Sequence, residues 1–456
     1  MIHDLPFVGF LAALMGLALR RPFLFILAYV YIDIVSPQRL TYSLLNSVPI
    51  SLIAVALAVG SWMLVDRKED SRIAPRQLLI LVLLGWCAVT TQYADFPNNA
   101  LDKWDWVWKC LAFAAFLPLT LRTRLRIESL LTFMVLSAAS IIIVGGIKTV
   151  AGGGGYGALD LMVANNSGLY EGSTISTVAI AIIPTILWLG KYGTIFKRDW
   201  KVKLFVAALV FACLLIPIGT STRTGLLCIG LLALLKLRDS KRKLLYLGMI
   251  GALGLAAVPF LPQSFTDRMS TIKTYQQDES AATRVAVWKW TWDYVQQHPL
   301  GGGFDMYRQN HIRYDIVTAD GTTDNARLDS TLTTDHARAY HSAYFEMLGE
   351  QGWPGLILWG LIALGGLFRM EVIRRRYRKA DGEEAWIAPL ASALQAGQLL
   401  YMLGACFIAI AFQPFMFMLV GAQIGLDTYL KRKRAETGFR PIVKRRAPAE
   451  PQPATA

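Results

Sequence analysis

Arginine and histidine side chains in unusual positions are the first candidates for chemistry. Arg223 lies in Gly-Thr-Ser-Thr-Arg-Thr-Gly, between two apolar segments where few charges are expected. An arginine at membrane depth costs about 2.5 to 3.5 kcal/mol, so it is usually paired or faces a wet cavity. Its planar guanidinium can hold two phosphate oxygens through parallel hydrogen bonds. An equally favoured alternative is that the Arg223 side chain extends its charged end to the lipid headgroups and has no role in chemistry.

Two more candidates lie further along the chain. Arg284 follows Asp278-Glu279-Ser280 at the start of an amphipathic segment. It can either pair with those acids or bind a second phosphate. His341 begins the segment His-Ser-Ala-Tyr-Phe-Glu-Met-Leu-Gly-Glu-Gln-Gly-Trp-Pro-Gly, which leads into an apolar run. A histidine there can form a hydrogen bond at the interface, but it could also take a proton from a hydroxyl near neutral pH.

Lys109 and His336 are secondary candidates. Lys109 ends the segment Trp-Asp-Trp-Val-Trp-Lys, whose aromatic residues are typical of an interfacial belt. In a binding role these rings would stack on a sugar, and Lys109 would supply an extra cation. His336 lies five residues before His341, but no nearby His-Glu pattern supports zinc. No metal and no cofactor are therefore predicted.

The elements that must position these residues are membrane helices. The 456-residue chain is 54% hydrophobic with a mean hydropathy of +0.41, which is more apolar than a soluble core requires. Apolar segments recur, each near the length that crosses a hydrocarbon layer of about 30 Å. We predict an all-α polytopic membrane protein with twelve or thirteen transmembrane helices, depending on whether the first two short segments both span. The predicted spans are 7–19, 22–35, 45–65, 77–91, 106–121, 129–150, 174–189, 202–218, 225–237, 244–261, 353–368, 386–412 and 415–430.

The charges of the connections predict the orientation. Basic clusters occur at every second connection, which is typical of cytoplasmic loops, and the alternate connections are predicted to face the periplasm. This distribution accounts for the formal charge of +14, so no nucleic-acid partner is predicted. The clusters are Arg67-Lys68 with Arg72 and Arg76; Arg122, Arg124 and Arg126; Lys197-Arg198; Lys241 to Lys243; Arg374 to Arg376; and Lys431 to Arg434.

Four regions are predicted along the chain. Residues 1–261 form an N-terminal transmembrane bundle, 262–352 a large periplasmic loop with the catalytic region, 353–430 C-terminal transmembrane helices, and 431–456 a disordered basic cytoplasmic tail. Within the loop, apolar spacing predicts a helix over 281–297, ended by His298-Pro299 and three glycines. The rest of the loop, through Asp335, is predicted to be irregular. Residues 1–19 lack a basic n-region and are predicted to be a retained segment and not a signal peptide.

Together these fragments resemble the O-antigen ligase and polysaccharide polymerase superfamily, and within it the O-glycosylation ligases of exosortase A-associated systems. The similarity covers nearly the entire chain, and its specificity comes from the order and combination of the fragments. They are Arg21-Pro22, Pro37-Gln38-Arg39-Leu40, the tryptophan segment ending at Lys109, Ser-Thr-Arg-Thr-Gly around Arg223, 268–272, 278–284 with Trp288, 301–304, and 341–355.

The resemblance implies a metal-independent, inverting glycosyltransferase of the membrane-embedded GT-C type. It would lie in the bacterial inner membrane with its active site facing the periplasm. The donor would be a glycan on undecaprenyl pyrophosphate, and the acceptor a hydroxyl of lipid A core, a protein or another glycan. Arg223 and Arg284 match the family's basic residues that engage the pyrophosphate, and His341 matches its essential loop histidine. The family's Asn-Asn pair appears here as Asn165-Asn166 in an altered sequence context, so no role carries over to it.

Two other functions stay open at this point. A polymerase would use the same donor, since sequence cannot separate acceptors that all present a hydroxyl. A flippase would move the lipid-linked glycan without breaking a bond. Transporters often contain internal repeats and broken helices, and the two halves of this sequence show no convincing repeat.

Overall fold

The computed structural model describes residues 4–41, 44–45, 48–66, 68, 73–152, 168–238, 248, 279–320 and 327–438. The predicted span at 244–261, apart from Gly248, lies outside the described residues, as do Asn165-Asn166 and residues 439–456 of the predicted tail.

The described chain is predominantly helical, as predicted. Each predicted span in the described residues coincides largely with one helix, because runs of apolar residues satisfy their backbone groups internally in a helix. The helices are α1 (Leu5–Arg20), α2 (Phe23–Val35), α3 (Pro37–Leu40), α4 (Ile50–Val65), α5 (Pro75–Gln92), α6 (Pro97–Thr120), α7 (Arg124–Gly152), α8 (Gly172–Tyr192), α9 (Trp200–Gly219), α10 (Arg223–Leu237), α11 (Glu279–Gln297), α12 (Ala343–Arg376), α13 (Ile387–Ala405) and α14 (Pro414–Gly438).

Four helices of the described chain are long and apolar enough to cross a membrane, namely α7, α8, α9 and α12. The helices α1, α2 and α4 are apolar but shorter. The chain is therefore an α-helical membrane protein, and the count of twelve or thirteen spans stays a prediction.

One predicted span is interrupted. The segment predicted as a single span over 386–412 forms α13 only as far as Ala405. Beyond it, side chains of α12 bind the backbone directly: Glu346 accepts a hydrogen bond from the Ala411 N–H at 2.9 Å, and the Trp359 indole donates to the Ala411 carbonyl at 3.1 Å. These bonds replace the helical ones, which is why hydropathy alone gives the wrong helix end here.

A β-hairpin corrects a second expectation. The strands β1 (His311–Asp320) and β2 (Arg327–His336) pair antiparallel, with His311 opposite His336, where the sequence was expected to be irregular. Ile312 and Tyr314 alternate on one face of β1 and are both buried. They pack with Val287 of α11 in a small apolar cluster. The period-two alternation is the signal for this strand.

Basic connections meet at one end of the helix bundle, called here the basic end and formed by residues 122–126, 191–203, 374–385 and 431–434. The contacts that join them to one another and to neighbouring connections are Arg126 with Asp66 at 2.6 Å, Arg124 with the Tyr192 carbonyl at 2.8 Å, Arg432 with the Leu121 carbonyl at 3.0 Å, and Lys433 with Glu384 at 3.1 Å. The grouping agrees with the alternation of basic and non-basic connections along the sequence.

Candidate functional site

A tryptophan of α11, Trp288, contacts the residues around the beginning of α12. The Trp288 indole donates a hydrogen bond to the Tyr340 carbonyl at 2.8 Å. Its ring also stacks on Phe345, with 5.2 Å between centroids and 3° between planes. Because Arg284 lies one helical turn before Trp288, these two contacts turn the Arg284 side of α11 toward His341.

His341 occupies the junction between the hairpin and α12. Its backbone has a φ of +48°, in the left-handed region that few residues other than glycine adopt and that is common at functional sites. The next residue, Ser342, is extended and precedes the first turn of α12. The imidazole is therefore held on a fixed turn at the start of a long helix.

The surroundings of His341 favour the neutral imidazole. Although part of this residue stays exposed, enclosure by the protein lowers the pKa of His341, and the positive charge of Arg284 lowers this pKa further. Glu171 opposes both effects, and Arg338 adds to the lowering. The structure thus places Arg284 where its charge acts on His341, and it adds a carboxylate, Glu171, whose effect on His341 gave no signal in the sequence.

Arg223 lies at the neighbouring junction of α9 and α10. It is the first residue of α10, and the preceding residue, Thr222, donates a hydrogen bond to Ser176 of α8 at 2.8 Å. Helix α8 begins just after Glu171, whose carboxylate accepts from the Ser173 and Thr174 N–H groups at 2.9 and 2.6 Å. Arg223 and the Glu171 carboxylate that acts on His341 therefore both lie at the N-terminal part of α8.

The other two sequence candidates have different surroundings. Lys109 pairs with Asp105 one turn earlier on α6, at 2.9 Å, and lies 5.8 Å from the centre of the Trp108 ring. His336 ends β2 and contacts His311 across the hairpin, with 4.4 Å between ring centroids. Within the described residues, no group of three or more His, Cys, Asp or Glu side chains is arranged to hold a metal ion.

A buried ion cluster beside the site was not predicted. Lys103 of α6 lies 2.7 Å from Glu346 and 2.8 Å from Glu350, and the Glu350 side chain is fully buried. Glu350 also accepts a hydrogen bond from the Asp305 N–H at 3.1 Å. The sequence did contain a signal for this cluster, namely two carboxylates one turn apart in the apolar segment that follows His341. Buried charges require a partner, so these carboxylates indicate a cation nearby.

The glycine segment 301–303, which follows α11, is bonded to a kink in α12. Gly352, inside α12, has a φ of +63°. The Gly302 N–H donates to the Gly349 carbonyl and the Gly303 N–H to the Glu350 carbonyl, each at 3.0 Å. A Cβ atom on Gly352 would overlap the backbone of Leu300. The glycine segment that was predicted to end a helix therefore also fixes the kink next to the buried ion cluster.

Comparison with protein families gives two matches. Residues 207–360 match the family described as O-Antigen ligase, and this stretch includes Arg223, Arg284 and His341. Residues 2–194 match a family of unknown function, DUF5935. No curated protein matches the chain. The first match supports the O-antigen ligase superfamily and a role in joining lipid-linked glycans at a membrane, and it leaves the exosortase-associated subgroup an expectation.

Proposed function

From the O-antigen ligase match at residues 207–360, we propose that the protein is an inverting, metal-independent glycosyltransferase of the GT-C type. It transfers a glycan from undecaprenyl pyrophosphate to an acceptor hydroxyl at the periplasmic face of the bacterial inner membrane. The observation that carries the proposal is the position of His341 on a left-handed turn at the start of α12, where the positive charge of Arg284 acts on the imidazole and lowers its pKa.

In this mechanism His341 acts on the acceptor. The acceptor oxygen attacks the anomeric carbon of the donor sugar from the face opposite the pyrophosphate, which inverts the configuration. His341 takes the hydroxyl proton as the new C–O bond forms. The carboxylate of Glu171, whose charge raises the pKa of this imidazole, stabilises the imidazolium that results.

The arginines act on the leaving group in the same mechanism. The bond between the anomeric carbon and the pyrophosphate oxygen breaks, and its electron pair stays on that oxygen. Arg284 and Arg223 hold the pyrophosphate oxygens and stabilise the charge that develops there, an effect that often dominates catalysis. No nucleotide is required, because the lipid pyrophosphate is already an activated leaving group.

The orientation of the bundle supports the periplasmic assignment. Basic clusters of cytoplasmic loops set the topology of membrane proteins, and here they meet at the basic end. Helix α12 begins next to His341 and ends at Arg376 within that end. A helix of this length spans the bilayer, so His341 belongs on the other side.

A transfer assay with purified protein tests the proposal. The full chain is placed in nanodiscs with a synthetic polyprenyl-pyrophosphate glycan and an acceptor, and released polyprenyl pyrophosphate is measured. We expect His341→Ala and Arg284→Ala to lower the rate by about 100-fold or more, in line with the loss of a general base or of an electrostatic stabiliser. His298→Ala, which removes another exposed histidine of the same segment, serves as the matched control and keeps the wild-type rate.

Two results would contradict the proposal. One is normal transfer by folded and inserted His341→Ala and Arg284→Ala proteins. The other is movement of intact donor across a vesicle membrane with no release of polyprenyl pyrophosphate, which would indicate a flippase. A polymerase is distinguished by the acceptor, since only a second lipid-linked glycan would then be extended.

A further inference from the structure

A cavity lies at the basic end, far along the helices from His341. It has a volume of about 660 Å³ and lies between α8, α10, α12 and α13. Among the described residues, five cations and no carboxylate line it. These cations are Lys191, Lys236, Arg238, Arg374 and Arg378.

Two of the five cations are fixed by neighbouring side chains. Arg374 pairs with Glu371 at 2.7 Å, and Arg238 donates to Gln395 at 3.3 Å and to Ser392 at 3.2 Å. Glu371 offsets one of the five positive charges, and the lining as a whole keeps an excess of positive charge.

Most of the remaining wall of the cavity is apolar. It is formed largely by aliphatic and aromatic side chains of α8, α10 and α13, including Leu187, Trp188, Leu232, Leu235 and Leu399. Next to this wall, Leu234 of α10 is 63% exposed, as expected of a helix that faces lipid. A ligand that fits both parts has an anionic head and an apolar chain.

We propose that this cavity binds an anionic phospholipid, with the headgroup phosphate among the five cations and an acyl chain along the leucine wall. Basic pockets between transmembrane helices at the cytoplasmic side are suited to such headgroups. The excess of cations supplies the charge complementarity, and the position at the basic end is the headgroup level of the bilayer.

The site connects the lipid to the candidate active site through three helices. Helix α8 extends from the Glu171 region to Lys191, α10 from Arg223 to Lys236, and α12 from the His341 junction to Arg374. A lipid that bridges the basic ends of these helices stabilises their packing, so it also raises the midpoint of thermal unfolding.

A lipid titration tests this proposal without any measurement of transfer. The purified full chain in phosphatidylcholine nanodiscs is titrated with fluorescent phosphatidylglycerol. We expect saturable binding of phosphatidylglycerol, and none of labelled phosphatidylcholine. The double variant Lys191→Gln/Arg378→Gln should weaken it roughly 25-fold, about fivefold for each cation removed.

The matched control is Arg376→Gln/Lys379→Gln. Both residues are exposed neighbours at the same end, and neither lines the cavity. This control should keep wild-type affinity. Equal loss in both double variants would overturn the proposal in favour of a diffuse surface charge. Equal binding of phosphatidylcholine would also overturn it, as would complete displacement of the lipid by inorganic phosphate or by a short polyglutamate peptide.

Discussion

At the scale of residues, Arg284 and His341 are related by charge as well as by position. The guanidinium opposes protonation of the imidazole, and enclosure by the protein acts in the same direction. A group with a lowered pKa gives up its proton at a lower pH, so His341 is a free base over a wider range than an ordinary histidine. The unprotonated form, which is the form that can accept a proton from a hydroxyl, therefore persists to lower pH.

The first prediction concerns the pH dependence of transfer. The free base of His341 is the active form, and its pKa is lowered. In a plot of transfer rate against pH, the acidic limb should therefore lie below pH 6.5, which is about the ordinary histidine value. Trp288→Phe keeps the aromatic ring but removes the hydrogen bond to Tyr340. Arg284 is then less firmly positioned and lowers the pKa of His341 less, so the acidic limb should move to higher pH. The measurement is the transfer rate between pH 4.5 and 8.

The control for this prediction is Trp292→Phe, one turn further along α11. Trp292 is 47% exposed and packs on Trp353, so its substitution should leave the acidic limb in place. Identical limbs in wild type and Trp288→Phe would show that Trp288 does not position the pair.

At the scale of elements, the buried ion cluster ties helices that are distant in sequence. Lys103 belongs to α6, whereas Glu346 and Glu350 lie on the first turns of α12. Glu346 also binds the Ala411 N–H just before α14. The segment that follows His341 is thus attached to α6 and to the backbone between α13 and α14 by groups that are shielded from water, where an unpaired charge is costly.

The second prediction is that Lys103→Met destabilises the fold strongly. It leaves two buried carboxylates without their cation, which costs about 3 to 5 kcal/mol. Asp105→Asn, on the same helix, breaks the pair with Lys109 at a side chain that is 69% exposed, and it should cost about 0.5 kcal/mol or less. The midpoints of thermal unfolding in one detergent compare the two variants. Equal midpoints would contradict a structural role for the cluster.

At the scale of the whole molecule, the bundle has two chemically different ends. The basic end contains the predicted cytoplasmic connections at 122–126, 191–203, 374–385 and 431–434, together with the proposed lipid cavity. The other end contains the His341 junction, the glycine segment and the Asp95 loop, which is joined to that segment by a 2.9 Å hydrogen bond from the Asp95 N–H to the Gly302 carbonyl. The proposed catalytic and lipid sites are therefore separated by the length of the spanning helices.

The third prediction is the topology itself. Single cysteines are introduced as His298→Cys and Lys379→Cys in a chain that carries Cys406→Ser, because the other cysteines are buried. A membrane-impermeant thiol reagent added to spheroplasts should label the cysteine at 298 and should reach the one at 379 only after permeabilisation. The reverse pattern would place His341 in the cytoplasm and would remove the proposed donor from its reach.

The sequence by itself determined which segments form helices, as α7, α8, α9 and α12 show. Apolar content over about 20 residues is a local property, and it decides helix formation in a membrane with little help from packing. The helix around Arg284 and its end before Pro299 were predicted for the same local reasons.

Only the tertiary structure decided which side chains meet. The charge of Arg284 acts on His341 in a structure where Trp288 contacts Tyr340, 52 residues away, and Lys103 meets Glu350 across 247 residues. The break after Ala405 and the role of Glu171 depend on similar contacts. Such pairs are fixed by how helices pack, and the periodicity of one segment carries no information about the partner that another segment brings to it.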